Sequence, residues 1–311
     1  MSDSPPLLVL MGPTASGKSA LALEAARHLD GEIISVDSMQ LYRGLEIGTA
    51  QPTREEQRAV PHHLVGEFDF HTRIDVFQFC RLAERAIEEI RSRNRLPILA
   101  GGTGFYLKAL LYGIDDLPAD RQLRTELDEQ YDSEAGEILL QDRMHALDPA
   151  ALQRWGKCRR RLIRALEVRL LTGKSILELQ QNPGDTLRYA VRAWKLEIPP
   201  ELLAERIARR AEAMLDAGWI DEARAAIADG LLDTPTAHQA IGYRLIAEHL
   251  AGHLTENQLL ERIVTATRQF ARRQRTWFRH QHPEARPLPC PAGAPPSWEA
   301  LMESPENPPL P

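Results

Sequence analysis

The sequence predicts an α/β protein in which helices flank a parallel sheet and an all-helical insertion interrupts the core. Three observations carry that prediction. Short apolar runs alternate with helical stretches at both ends of the chain, a phosphate-loop pattern joins the first run to the first helix, and no strand candidate occurs between Leu117 and Ala190. The 311 residues suffice for a full core and a second, smaller unit. Hydrophobic content of 43% and charged content of 26% are ordinary for a soluble globular chain. A net charge of −6 means that any grip on a polyanion must come from local basic clusters. Cys80, Cys158 and Cys290 are far apart and outside metal spacing, so they read as reduced thiols in a cytoplasmic protein. The start, Met1 to Pro6, has no basic region leading into a long apolar core, and neither a signal peptide nor a membrane span is expected.

Leu7 to Met11 is an apolar run that reads as a buried strand, and Ala20 to Arg27 is made of good helix formers. Between them, Gly12-Pro13-Thr14-Ala15-Ser16-Gly17-Lys18-Ser19 fits G-x-x-x-x-G-K-[ST] in the strand–loop–helix setting that pattern requires, which makes the core P-loop NTPase-like. Free N–H groups and the helix dipole favour phosphate oxygens there, Lys18 adds a point charge, and the Ser19 hydroxyl can hold Mg²⁺. A diphosphate or triphosphate is the expected guest.

Glu32 to Asp37 is a second strand that delivers Asp37 to the carboxyl edge of the sheet, the edge where such sheets bind ligands. Gly44 to Pro52 continues this loop. Asp75 to Asn94 carries apolar residues at helical spacing, and Leu96 to Ala100 is another strand. It ends in Gly101-Gly102-Thr103-Gly104, for which tight strand–helix packing and ligand contact are equally open readings. The insertion, 118–189, comprises helices at Leu123–Tyr131, Ala135–His145, Pro149–Arg154 and Cys158–Leu171. In the last, Leu162, Ile163, Leu166 and Leu170 form the core face, while Lys157 and Arg159, Arg160, Arg161 and Arg164 face solvent or phosphates.

Val191 to Ile198 alternates like a half-buried strand and returns the chain to the core, whose second part spans 190–282 after the first part at 1–117. Arg206 and Arg210 share one face of the next helix, a pattern usually only solvated. A long helix from Glu256 to about Arg279 repeats Ile263, Phe270 and Trp277 as core, and sets Arg268, Arg272, Arg273, Arg275 and Arg279 on a basic surface with Phe278 interleaved. The tail, 283–311, is Pro-rich with little to bury, and disorder is expected.

The phosphate loop, Asp37-Ser38-Met39-Gln40-Leu41-Tyr42-Arg43-Gly44, Ile47-Gly48-Thr49-Ala50 and Gly101 to Tyr106 together resemble one family. Arg164 to Val168, Ile241-Gly242-Tyr243 and Thr267 to Phe278 extend the likeness along the chain. The sequence resembles the tRNA dimethylallyltransferases, or tRNA isopentenyltransferases, of bacterial type. It departs from their pattern at Gly66, Ile74 and Lys157-Cys158. His62 and His63 match the family but have no metal-binding company and read as structural.

The resemblance implies transfer of a dimethylallyl group from dimethylallyl diphosphate to N6 of the adenosine 3′ to the anticodon, with Mg²⁺ and diphosphate release. Asp37 falls at the general base, Arg210 at the diphosphate arginine, and Thr103 at the catalytic threonine. Positions of tRNA contact map to Asp37, Ser38, Met39, Gln40, Thr103, Arg124, Arg160, Arg161, Leu162, Ile163, Arg164, Gln239, Ala240, Ile241, Gly242, Tyr243 and Arg244. The expected partners are the tRNA anticodon stem-loop and the allylic diphosphate, with no membrane and a monomeric state.

Chemistry at the residues agrees with that expectation. An adenine amine is a weak nucleophile, so a carboxylate taking its proton helps by about 10²–10⁴-fold. Phosphate-loop amides, Lys18, Arg210 and Mg²⁺ on Ser19 would stabilise a departing diphosphate. The rivals are an ATP-using small-molecule kinase, because this loop is commonest in such proteins, and an RNA-binding protein whose phosphate loop is a switch or a relic.

Overall fold

The computed structural model describes residues 6–180, 186–290 and 297–302. One compact unit is formed by 1–112 with 187–311, and a second by 113–186. In the first unit the chain runs β1 (Leu7–Met11), α1 (Lys18–His28), β2 (Gly31–Val36), α2 (Arg54–Ala59), β3 (His62–His63), α3 (Val76–Ser92), β4 (Leu96–Gly101) and α4 (Gly104–Tyr112). The second unit contains α5 (Arg121–Gln130), α6 (Glu134–Leu147), α7 (Pro149–Trp155), α8 (Arg159–Thr172) and α9 (Ile176–Leu179). After it come β5 (Val191–Glu197), α10 (Pro200–Asp216), α11 (Trp219–Ala228), α12 (Tyr243–Leu250), α13 (Glu256–Gln281), β6 (Arg286–Pro289) and α14 (Glu299–Met302). Arg188 N–H already donates to Leu111 O at 2.8 Å, so the returning chain joins the first unit just before β5.

The strands form one parallel sheet in the order β3-β2-β4-β1-β5-β6. Every residue of β1 and β4 is buried, as the apolar runs required for strands covered on both faces. From β1 the chain crosses to one side, and from β4 to the other, which puts the switch in direction between these two neighbours. Register then decides what meets there. Gly101 lies opposite both Met11 and Val36, so β1, β4 and β2 end level with one another. Gly12, Gly102 and Asp37 therefore leave the sheet at one height, with Gly12 and Asp37 about 10 Å apart across two strand spacings.

The tail corrects an expectation. Over the described part of 283–311 the chain is ordered: β6 pairs with β5, Leu288, Cys290 and Leu301 join the core beside α1 and α10, and Trp298 stacks on His28 at 4.3 Å. Proline is compatible with this strand because β6 is the sheet edge, where one row of N–H groups has no strand to meet. The remainder of the Pro-rich segment lies outside the described residues.

On β2, Glu32 is 2% exposed yet polar partners surround it: Arg93 Nη2 and His63 Nε2 each lie 2.7 Å from Oε2. Burial alone would raise its carboxyl, but the bonds from Arg93 and His63 outweigh it and hold the group down at about 2. A depressed folded value contributes stability that is complete above the unfolded value and is lost as pH falls toward about 2. Acid titration followed by circular dichroism should show Glu32→Gln less stable than wild type at pH 7, the gap closing below pH ~4.

The second unit packs around Leu127, Tyr131, Leu140, Met144, Leu162, Ile163 and Leu166. Leu170, expected in that core, is 42% exposed, and Ala165 and Val168 of the same helix are buried in it instead. Among the described residues no helix is long and apolar enough to cross a membrane.

Candidate active site

A cavity of about 490 Å³ opens at the carboxyl edge of the sheet, within the size range of small-molecule sites. Its walls include Thr14, Ala15, Lys18 and Ser19 from the phosphate loop, Asp37 to Gln40 after β2, Thr103 after β4, and Arg210 on α10.

The loop holds two left-handed residues, Ala15 (φ 60°) and Gly17 (φ 90°), a backbone form that turns successive N–H groups inward to cradle an anion. Gly12, Pro13 and Ser16 lie buried beneath it. A Cβ on Gly12 would press on Ser16 Oγ at 3.1 Å and Leu196 Cβ at 3.2 Å, so the first glycine serves packing. α1 begins at Lys18 and directs its free N–H groups toward the cavity. Lys18 Nζ donates to Pro13 O at 3.3 Å. Burial draws this ammonium down to about 8; attraction to Asp37 opposes the shift and repulsion from Arg210 adds to it.

Arg206 and Arg210 do not face solvent. Arg210 Nη1 donates to Thr14 Oγ1 at 3.3 Å and Arg206 Nη1 to Ser16 O at 3.4 Å, so both guanidinium groups sit over the phosphate loop. Burial lowers the Arg210 pKa, with Asp37 opposing. Asp37 Oδ1 accepts Met39 N–H at 2.9 Å, which fixes the carboxylate and leaves Oδ2 without a hydrogen bond among the described residues. Thr103 Oγ1 accepts Ser38 N–H at 3.0 Å, tying the loop after β4 to the loop that bears Asp37.

The tie left open for Gly101 to Gly104 resolves in favour of packing at the glycines. A side chain on Gly101 would overlap Val36 O, one on Gly102 would overlap Gln274, and one on Gly104 would overlap Trp277. Only Thr103 of the four presents a side chain to the cavity.

Several mapped tRNA positions are not free to meet RNA through their side chains. Gln40 Nε2 donates to Thr49 O and Ala50 O, and its Oε1 accepts the Ser35 hydroxyl, so it folds the neighbouring loop. Tyr243 is fully buried and donates to Glu222 Oε1 at 2.7 Å, while a side chain on Gly242 would meet Trp219. Gln239, Ala240 and Ile241 do line the cavity, and Arg244 is exposed. Within the second unit, Leu162 and Ile163 are 1% exposed and belong to its core. Arg124 and Arg164 both pair with the buried Glu167, and Arg164 also donates to Leu117 O and Pro118 O. Arg159 is held by Asp128, Asp132 and Tyr131 O; Arg160 and Arg161 are the exposed members.

On α13, Ile263 is buried, but Phe270 lines the cavity and Trp277 packs on Gly104. The fully buried residue is Phe278, which therefore does not interleave the basic surface; the core row is Leu259, Ile263, Ala271, Gln274 and Phe278. Arg268, Arg272, Arg273 and Arg279 are exposed and form no ion pair with a described carboxylate, and Arg273 reaches the cavity wall.

Sequence reasoning missed Glu222 and Gln274. Glu222 accepts Ile47 N–H (2.6 Å), Gly48 N–H (2.9 Å) and the Tyr243 hydroxyl, holding the loop over the cavity. Gln274 joins the phosphate loop to the loop after β4. Its signal was an amide standing in the apolar row of α13. His63 is structural as read, paired to Glu32, whereas His62 borders the cavity.

Among the described residues no cluster of three or more His, Cys, Asp or Glu could cage a metal. The exposed Ser19 hydroxyl is a hard oxygen donor on the cavity wall, which suits Mg²⁺ carried in with phosphate rather than held by a protein cage.

The family model described as IPP transferase matches residues 40–281, and that described as isopentenyl transferase matches 5–65. The chain is 42% identical to the tRNA dimethylallyltransferase of Kocuria rhizophila, covering 88% of this chain and 86% of that protein. It is also 42% identical to tRNA dimethylallyltransferase 1 of Trichlorobacter lovleyi, over 89% and 92%. Among solved structures it is similar to the tRNA isopentenylpyrophosphate transferase of Bacillus halodurans, with a TM-score of 0.67, 36% identity and coverage of 92% and 90%. A eukaryotic dimethylallyltransferase acting on tRNA gives a TM-score of 0.77 at 27% identity, covering 92% of this chain and 74% of that one.

Proposed function

This chain belongs to the IPP transferase family, and from that premise we propose that it transfers a dimethylallyl group from dimethylallyl diphosphate to N6 of the adenosine 3′ to the anticodon of tRNAs. The observation that supports this most is the joint opening of the anion cradle and the half-free Asp37 carboxylate onto one cavity. The C1–O bond of the allylic diphosphate breaks as the N6–C1 bond forms. Asp37 Oδ2 takes the N6 proton, so the amine nitrogen ends neutral. Charge gathering on the departing diphosphate meets the amides at the start of α1, Lys18 and Arg210, which bind it more strongly in the transition state than before. Ser19 would hold Mg²⁺, which would supply further neutralisation of diphosphate charge.

Walls formed by Phe270, Ile263, Ile207 and Met214 keep part of the cavity apolar, as an allyl group that must not meet water requires. The adenine must leave its stack to enter, a modest demand in an anticodon loop. The unpaired arginines of α13 supply backbone contacts on a chain that is otherwise acidic.

Purified protein incubated with labelled dimethylallyl diphosphate, Mg²⁺ and unmodified tRNA should move label into the tRNA and release diphosphate. Folded protein that leaves the tRNA unlabelled would refute the reading. Turnover of ATP in place of the allylic donor would point to the kinase instead.

A further inference from the structure

We propose that Gln274 is a positioning residue that registers the diphosphate cradle against the side of the cavity bearing Asp37. Its amide stands between backbone groups of two different loops: Oε1 accepts Thr14 N–H at 2.8 Å and Nε2 donates to Gly102 O at 2.9 Å. An N–H needs an acceptor and a carbonyl a donor, so only one orientation of the amide satisfies both. At 6% exposure the side chain is buried, and a variant that breaks either bond leaves a backbone group without its partner. Ionised glutamate would only accept, lysine and arginine would only donate, and asparagine is one methylene too short on the same helix.

Two consequences follow for the site. Thr14 N–H is withdrawn from the anion, which leaves diphosphate to the amides at the start of α1 and fixes the Thr14 hydroxyl that receives Arg210. Gly102 is held next to Thr103, whose hydroxyl secures Ser38 beside Asp37. A continuous set of contacts therefore runs from Arg210 through Thr14 and Gln274 to Gly102, and from its chain neighbour Thr103 to Ser38. The fit is close enough that Gly102 has no space for a side chain, because the Gln274 amide occupies it. Displacement of one half of the site by about 1 Å lowers the rate on the order of 10²-fold.

The test uses the full chain with Gln274→Ala and Gln274→Glu. Binding of inorganic diphosphate with Mg²⁺ is measured by calorimetry from pH 5 to 8, alongside thermal midpoints. Transfer kinetics form a separate arm, which alone rests on the proposed transferase reading. Gln274→Ala should bind diphosphate several-fold more weakly than wild type and lower kcat by about 10–10²-fold, with KM for tRNA unchanged. In Gln274→Glu, burial and the facing Gly102 O raise the carboxyl into the titrated range; its protonated form can both accept and donate, whereas the carboxylate loses the bond to Gly102 O and adds negative charge beside the cradle. Its diphosphate affinity, taken relative to wild type at each pH, should be near one at low pH and fall as pH rises. A folded Gln274→Ala with wild-type diphosphate affinity, or a Gln274→Glu profile parallel to wild type, would overturn the proposal. If Gln274→Ala does not fold, the Gln274→Glu profile decides alone. Wild-type protein that binds diphosphate but labels no tRNA would refute the transferase and leave the calorimetric arm standing.

Discussion

Asp37→Ala is expected to lower kcat by about 10²–10⁴-fold while leaving tRNA affinity within a few-fold of wild type. In the proposed reading this carboxylate is the base, since Glu56, also on the cavity wall, is engaged in capping α2. Oδ1 is tied to Met39 N–H, Oδ2 is open, and no other carboxylate follows β2 at that level of the sheet. Removal of the base leaves the adenine amine to attack with its proton still attached, so the loss falls on the chemical step. Asp37→Asn is the sharper variant, since it preserves shape and can still engage Met39 N–H but cannot take a proton. Single-turnover transfer with enzyme in excess would isolate that step, and filter binding would report tRNA affinity. An Asn variant with wild-type single-turnover rate would exclude Asp37 as the base.

Lys18→Met should lower kcat by about 10²–10³-fold, the effect of deleting one donor aimed at developing charge. Its pH behaviour separates a charge effect from a packing effect. In the free protein, burial brings the Lys18 ammonium down to about 8. Below that pH the charge is present; above it the amine is neutral and donor binding must take up a proton. Affinity for the allylic diphosphate should therefore weaken in wild type as pH rises through about 8, and Lys18→Met should lack that inflection. Isothermal titration in two buffers of different ionisation heat reads the proton uptake directly. Arg210→Lys retains a charge without the planar fork and should lose less than Arg210→Gln.

The parts of the site that depend on a few adjacent residues were legible early. A glycine-spaced loop between an apolar run and a helix former has one mechanical use, and the strand logic of open sheets put Asp37 at the same edge. The fate of the arginines was not legible. Helical spacing puts Arg206 and Arg210 on an ordinary solvated face, and only the family resemblance assigns Arg210 to diphosphate; both face the phosphate loop, whereas Arg124 and Arg164, mapped to tRNA contact, are held by Glu167. Charge runs say that cations exist; only the path of the chain says which anion or carbonyl each one meets.

By itself, the sequence determined β1, β2, β4 and β5 with the main helices, the glycine-spaced loop and the sheet edge onto which the cavity opens, because periodicity and backbone preference act over a handful of neighbouring residues. The tertiary structure decided how the two sides of the site are held in register, and which polar residues belong to packing. Gln274 meets Thr14 across 260 positions of chain, and β6 finds its place only because β5 offers an edge. Those contacts depend on where distant segments lie once the core has closed, which local propensity does not encode.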